Sequence, residues 1–480
     1  MPKKETFNLH PHGYETHPEV ERFPLSTFDY LTAQTYNNFA VYFKLGPDAS
    51  KPAIATILKQ GLEHTLSQCR HLAGYIAKNK VGDHHSFVKK RDSTVQFVVQ
   101  YLDEPEDNFP SFAELERTHF VRSTLGDISV LGHKDMQYGE RPECSPDALP
   151  HPIASAFQAN FIPGGLIFSM HHHHYANDIK GWAGFTHQLA ENCHALSKGL
   201  AMPSWDMACL DHTRCLPRED IPEEAKVDGP PSPGRHPDLR ECSMLLFHLP
   251  KSKAAELKSL ATPADGGSGS WISSYDAFSA FIWRIMTKHR APLYKTDVSG
   301  PSPWGEAVDM RQRLKNPPVP ERLQGNLFAA AVSMMSQIPP LTVAEVISEA
   351  PLARLAAYIR SMTNSQTEES FDQIVQMIAP VRDKSGLFVR VNSFPPPTVV
   401  MTDWRQSRIC EGDFGFARPA AFRFLTEVKA EGIVFVFPPR PTGNADEGIE
   451  VQITCEKELV GAMIADEEMG RFFEYRGVEE

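Results

Sequence analysis

In the stretch "LIFSMHHHHYANDIKGW", residues 166 to 182, four consecutive histidines close an apolar run, and an aspartate follows four places after the last. Imidazoles near a carboxylate can hold a metal ion or move a proton. The second role suits neutral pH, because an ordinary imidazole, with a pKa of about 6.5, is mostly neutral there. Successive side chains on a strand face opposite ways, so His172 and His174 would share one face and His171 and His173 the other. Four in a row cannot converge on one ion, and no second His, Cys or Asp cluster completes a tetrahedral set, so no metal is expected. Polar filler at a strand end and a working base remain open at this level.

The elements that must carry these residues can be read from periodicity. "FQANFIPGGLIFSMH" (157 to 171) is two β runs joined by a Pro-Gly-Gly turn, so the histidines begin where a strand ends, and "GWAGFTHQLAENCHALSKGL" (181 to 200) has helical spacing. Ala53 to Ala77 predicts an amphipathic helix ending near Leu-Ala-Gly with a strand after Gly74, and 93 to 103 alternates as a strand. Between about 201 and 240 the chain turns rich in proline, charge and glycine, as a linker does. Beyond it "SMLLFHL" and "GIVFVFP" read as strands, and "KSKAAELKSLA" and "SSYDAFSAFIWRIMTKHR" as helices.

At 480 residues and 41% hydrophobic content the chain can bury two or three domain cores. A net charge of −12 argues against nucleic acid as a partner, since such proteins carry a basic patch or stripe. Eight scattered cysteines without a C-x-x-C pair fit a reducing cytosol. The N-terminus lacks a signal-peptide core, and the longest apolar run, "LFAAAVSMM" (327 to 335), is far short of the ~20 residues of a membrane span. A soluble, cytoplasmic monomer is expected.

"HHYAND", from His173 to Asp178, has the pattern H-H-x-x-x-D and resembles the signature of CoA-dependent acyltransferases, the BAHD enzymes among them. The chain is similar to that family at further points in the same order. "FPLSTFD" (23 to 29) resembles its P-L-S-x-x-D opening, and "LEHTLSQCRHLAGYI" (62 to 76) its helix running into L-A-G. The helix at 273 to 290 carries a similar core, "AVDMRQRLKNPPVPERLQGN" (307 to 326) resembles V-D-x-R with P-P-x-P and G-N, and "TDWRQSRICEGDFGFARP" (402 to 419) resembles T-x-W with D-F-G-W-G. The fungal secondary-metabolite branch, with its trichothecene acetyltransferases, is the nearest in kind. The chain departs from the pattern at Ile179, where a glycine is usual, and at Phe416 and Ala417, which replace Trp and Gly.

The resemblance implies an α/β fold of the α+β sandwich type: two chloramphenicol-acetyltransferase-like domains with mixed sheets, over 1–205 and 246–480, joined by a crossover at 206–245. It implies transfer of an acyl group, acetyl first of all, from acyl-CoA to a hydroxyl of a small secondary metabolite, without an acyl-enzyme or a metal. His174 would be the general base, with His173 supporting it and His171 and His172 structural or solvated. Asp178 would pair with Arg311 to brace the loop. Trp404, with Thr402 nearby, would offer its indole N–H to the oxyanion, while Asp413 and Gly415 of the D-F-G-like motif would be structural. Lys251, Lys253, Lys258, Ser273 and Ser274 would meet the CoA phosphates and pantetheine.

Other functions stay in view. A condensation-type enzyme would take its acyl group from a carrier protein, and an amine acceptor would use the same base. A serine hydrolase lacks its G-x-S-x-G elbow, because "GPSPWG" (300 to 305) misses the spacing. A non-catalytic binding protein on the same fold is the last alternative.

Overall fold

The computed structural model describes residues 2–79, 84–133, 142–217, 221–263, 271–426 and 429–479. The first half runs β1 (Lys3–Leu9), β2 (Val20–Pro24), β3 (Tyr36–Lys44), α1 (Lys51–Gln68), β4 (Tyr75–Lys78), β5 (His85–Lys90), β6 (Val95–Tyr101), α2 (Phe112–Arg117), β7 (Ser155–Ile162), β8 (Gly165–His173) and α3 (Ile179–Lys198). The second runs β9 (Cys242–Leu249), α4 (Lys251–Ala261), α5 (Ser274–Leu293), β10 (Trp304–Asp309), β11 (Phe328–Val332), α6 (Leu352–Asn364), α7 (Glu368–Ile378), β12 (Val399–Asp403), β13 (Pro419–Phe424), β14 (Ile433–Val436), β15 (Ile449–Glu456), α8 (Val460–Ile464), α9 (Glu467–Phe472) and β16 (Glu474–Val478).

Each half builds a mixed sheet. The first has the order β1-β6-β7-β8-β3-β13 and the second β11-β10-β12-β14-β15-β9-β16, with a small sheet β2-β5-β4 at the side. Helices α1 and α3 cover the first sheet, burying Ile54, Leu58, Leu62 and Leu66 from α1 against Trp182, Phe185 and Leu189 from α3. In the second half α5 is the central helix, with Phe278, Trp283 and Met286 packed on Trp304, Met401, Val434 and Val451.

The border between the halves is not a border in the chain. β13 belongs to the second half in sequence yet pairs antiparallel with β3 as an edge of the first sheet. Its Arg423 reaches back to Glu450 on β15 at 2.8 Å, with both side chains almost wholly buried. The stretch expected to be a linker also packs closely. The Cys209 carbonyl accepts from Gln324 N–H, the Cys215 carbonyl accepts from Thr27 N–H, and Arg214 pairs with Glu368 and Asp372, both on α7. Proline and charge mark a segment without regular periodicity; they do not mark one without contacts.

Candidate active site

The β7–β8 hairpin delivers the histidine run. Strand pairing with β3 lasts through Tyr36↔His173, and the chain leaves the sheet at His174. Asp178 then caps α3 in an extended conformation, its Oδ1 accepting the N–H groups of Lys180 and Gly181 at 3.0 and 2.8 Å. An aspartate at an N-cap satisfies donors that the first helical turn cannot pair internally. The four residues His174 to Asn177 therefore form a short bridge between a strand end and a capped helix.

The first three histidines are fully buried, which excludes the solvated role considered for His171 and His172. Central strand β8 is covered on both faces, so neither side offers water. His171 faces Asn38, with Nδ1 2.5 Å from the amide oxygen, and its Nε2 accepts the His133 N–H at 3.2 Å. His172 lies edge-on to Phe157 and Phe185 and meets the Asn177 amide at 3.4 Å. His173 donates from Nε2 to the Cys144 carbonyl at 2.9 Å, while its Nδ1 accepts the Tyr175 N–H at 3.1 Å. Both nitrogens of His173 are engaged, and burial lowers its pKa to about 4.

His174 differs from all three. It is half-buried, its Nδ1 is covered by protein without a hydrogen-bond partner, and no hydrogen bond of its Nε2 occurs among the described residues. Burial pulls its pKa below the ordinary value, while its own carbonyl and the Asp178 charge oppose the shift. The ring is thus neutral at neutral pH, with one nitrogen available to an outside proton.

Asp178 does not turn to His174. Arg311, just past β10, holds it with two parallel hydrogen bonds, Nη1 to Oδ2 at 2.9 Å and Nη2 to Oδ1 at 3.0 Å. Leu327 N–H adds a second donor on Oδ2 at 2.8 Å. Arg311 also binds Asp309 at 2.9 Å and the carbonyls of Leu323 and Gly325. Despite burial, the Arg311 charge keeps the Asp178 carboxyl below its ordinary pKa. The loop 323–327 and the loop 174–178 are further laced by Gly325 N–H donating to the Ala176 carbonyl and the Asn177 side chain. Gly181 is required by this closeness: a Cβ there would lie 2.4 Å from Asn177 Oδ1 and 2.8 Å from the Gly325 carbonyl.

Two residues of this seam were not singled out in the sequence. Asp29, which ends "FPLSTFD", is fully buried and accepts the Asn326 N–H and Nδ2 at 3.0 and 2.9 Å. Asn326, which ends the G-N segment, donates on to the carbonyls of His174 and Tyr175 at 2.8 and 3.1 Å. Both lie in stretches that carry the resemblance; buried polar ends of such stretches are the signal that could have found them.

Thr402 and Trp404 come together, but not as the sequence suggests. The indole N–H of Trp404 donates to Thr402 Oγ1 at 2.9 Å, so it is already engaged, and Thr402 keeps its own hydroxyl proton to donate. The ring is wedged among Phe39, Phe424, Phe435 and Phe437, which fixes that direction. Neither residue hydrogen-bonds His174. Asp413 and Gly415 sit far off, against the last turns of α3. Asp413 lies 3.5 Å from His194, and Gly415, at φ 80°, packs where a Cβ would meet Ser197 Oγ at 1.9 Å. That end of α3 is about 24 Å along the helix from Asp178.

The residues expected at CoA lie on α4 and at the start of α5. Lys251 donates to the Ala445 carbonyl, Lys253 pairs with Glu256 at 3.0 Å, and Lys258 has no carboxylate partner among the described residues. Ser273 is the N-cap of α5, bonded to Asp276 in a reciprocal box, and Ser274 opens the helix. Among the described residues no group of three His, Cys, Asp or Glu is placed to hold a metal ion.

The model of the family described as Transferase family matches residues 14–469. The chain belongs to that family, and it is an acyltransferase of the BAHD type. It is 51% identical over 482 residues to Acetyltransferase FGR3 of Gibberella zeae, covering 100% of this chain and 95% of the relative. It is 25% identical over 459 residues to Trichothecene 3-O-acetyltransferase TRI101 of Fusarium sporotrichioides, covering 92% and 94%. Among solved structures, F. graminearum TRI101 complexed with ethyl coenzyme A superimposes with a TM-score of 0.76 at 20% identity, covering 95% of this acyltransferase and 100% of that chain. The two-domain fold expected from the sequence is the fold observed.

Proposed function

We propose that this acyltransferase moves an acyl group, acetyl first of all, from acyl-CoA to a hydroxyl of a small secondary metabolite, with His174 as general base. The observation that carries the reading is the contrast within one run: three fully buried histidines and a fourth that is half-buried, with no hydrogen bond on its Nε2 among the described residues. Nε2 accepts the hydroxyl proton as the oxygen attacks the thioester carbonyl. The resulting oxyanion takes a hydrogen bond from the Thr402 hydroxyl, which Trp404 orients, and such a preorganised donor is worth about 3 kcal/mol. The C–S bond then breaks and the thiolate takes the proton back from His174. No acyl-enzyme is needed, and each atom and charge is accounted for.

The relatives support the donor and the acceptor class. One is named an acetyltransferase and another a trichothecene 3-O-acetyltransferase, and TRI101 structures hold coenzyme A with T-2 or deoxynivalenol. On this chain Lys251, Lys258 and Ser274 are the best candidates for the CoA phosphates, because Lys253 and Ser273 are already paired with the carboxylates of Glu256 and Asp276. Bracing by Asp178 and Arg311 is part of the same reading, as are monomeric action in the cytoplasm and the domain limits 1–205 and 246–480, except that β13 joins the first sheet. His174 and Asp178 from one half and Arg311 and Thr402 from the other put all proposed parts in one chain. No helix of the described residues is long and apolar enough to cross a membrane.

Thiol release measured across acyl-CoAs of increasing chain length and a panel of hydroxylated metabolites tests the reading. Turnover requiring both partners, fastest with acetyl-CoA, is expected. Turnover with a carrier-protein thioester alone, or with amines alone, would replace the donor or the acceptor, and no transfer with any pair would contradict the reading.

A further inference from the structure

Strands β12 and β14 lie inside the second sheet and pair in parallel, with Thr402 in register with Phe435. One face of the pair is core: Val399, Met401, Val434 and Val436 are fully buried. On the other face Val400, Thr402, Ile433 and Phe435 stay partly exposed, although parallel strands are ordinarily covered on both sides. Of the four, only Thr402 is polar. This strip turns to the first half, because Phe435 packs on Phe424 of β13 and Trp404 packs on both Phe424 and Phe39 of β3. It also has a closed end. The rings of Trp404, Phe424 and Phe435 stand with centroids 4.8 to 5.6 Å apart, a contact distance for aromatic pairs that leaves no gap for a methylene chain. Trp404 is fixed there by its bond to Thr402 Oγ1 at 2.9 Å. Phe424, itself partly exposed, is fixed by pairing with Phe39, and the N–H of the next residue, Leu425, donates to the Asn38 carbonyl at 2.8 Å.

We propose that Phe424 and Phe435 set the length of the acyl group that is transferred. Their partly exposed rings form the end wall of the acyl pocket, with room for acetyl and none for a long chain. The inference rests on the reading above, in which the Thr402 hydroxyl meets the oxyanion. That hydroxyl then marks where the acyl carbonyl lies, and the strand carrying Phe435 runs beside it at a spacing of about 4.8 Å. The carbons beyond the carbonyl therefore run into the rings. An apolar wall suits a methyl group, which brings no hydrogen bonds that burial would leave unmade. Length is sensed because the rings are held by two different sheets, Phe424 by the first and Phe435 by the second, so neither yields without moving one half against the other.

The test is kcat/KM for acetyl-, butanoyl- and hexanoyl-CoA with one hydroxylated acceptor, in the wild type and in Phe424→Ala, Phe435→Ala and Phe435→Leu. The wild type should favour acetyl-CoA over hexanoyl-CoA by at least about 100-fold, since a single methylene in a fitted pocket is worth about 10- to 200-fold. Each alanine variant should narrow that gap by about 10- to 100-fold, with the KM for the acceptor little changed. Loosened packing alone slows all three donors alike, so the ratio between them reads the wall and not the fold. Phe435→Leu keeps an apolar side chain and serves where alanine does not fold; it should gain butanoyl-CoA before hexanoyl-CoA. A folded variant that keeps the wild-type ratio, or that changes the acceptor KM in its place, overturns the inference. So does a wild type that takes hexanoyl-CoA as readily as acetyl-CoA, a result that depends on no variant. Absence of transfer from every acyl-CoA would instead remove the acyltransfer reading and this inference with it, so the two failures are distinguishable.

Discussion

Arg311 grips Asp178 through two parallel hydrogen bonds of 2.9 and 3.0 Å, the geometry of a carboxylate held by a guanidinium. Five donors in all converge on that carboxylate, from Arg311, α3 and Leu327. Asp178→Asn leaves Arg311 with only Asp309 as a charged partner in a buried place. Breaking such a pair from one side costs about 3–5 kcal/mol. The variant should lose that much in denaturant unfolding and lose turnover alongside, and wild-type stability with wild-type turnover would refute the brace.

The buried histidines make stability depend on pH. Burial lowers the pKa of His71 and His171 to about 3 and of His173 to about 4, and pushes His172 down as well. The unfolded chain binds protons on these rings below about 6.5, whereas the folded one resists until far lower. Their stabilising share is therefore complete above pH 6.5 and falls by about 1.4 kcal/mol per pH unit for each ring as pH drops through the window between. His172 makes only a 3.4 Å contact with Asn177 among aromatic rings, so His172→Phe should remove about one proton from the slope of stability against pH between 6.5 and 4.5. An unchanged slope would contradict the assignment.

Gly181 measures how tightly the two loops must approach. Because an added Cβ would press Asn177 Oδ1 and the Gly325 carbonyl, Gly181→Ala should shift the His174 loop. A displacement near 1 Å costs about 100-fold in rate, so kcat should fall by that order while the unfolding midpoint moves less than in Asp178→Asn. Unaltered kcat would show that the loop position is not critical.

In the proposed mechanism Thr402 and Trp404 divide one task. Thr402→Val removes the donor itself and should lower kcat by about 100- to 1000-fold at constant KM for acyl-CoA. Trp404→Phe keeps the packing and removes only the N–H that orients the hydroxyl, so it should lower kcat by roughly tenfold. The reverse order of severity would return the donor role to the indole.

What the sequence could show follows from what is local. The end of β8, the helix after Asp178 and the strand and helix at 242 to 261 are set by side-chain periodicity, and they lie where that periodicity places them. Family resemblance carried the distant pair Asp178 and Arg311, which no local pattern links. Illegible were features set by three-dimensional neighbours: the burial of His171 and His172, which depends on what covers β8, and the placement of β13 in the first sheet. The direction of the Trp404 indole was hidden for the same reason, since five phenylalanine and threonine neighbours from separate segments decide it.

The most direct test of the account is the rate of acyl transfer by His174→Ala with acetyl-CoA and a hydroxylated acceptor. Its fold should persist, because the His174 ring is only half-buried and its Nδ1 has no hydrogen-bond partner among the described residues, and its kcat should fall by about 100- to 10,000-fold, the range for losing a general base. A folded His174→Ala that still acylates the acceptor at the wild-type rate would contradict the central claim.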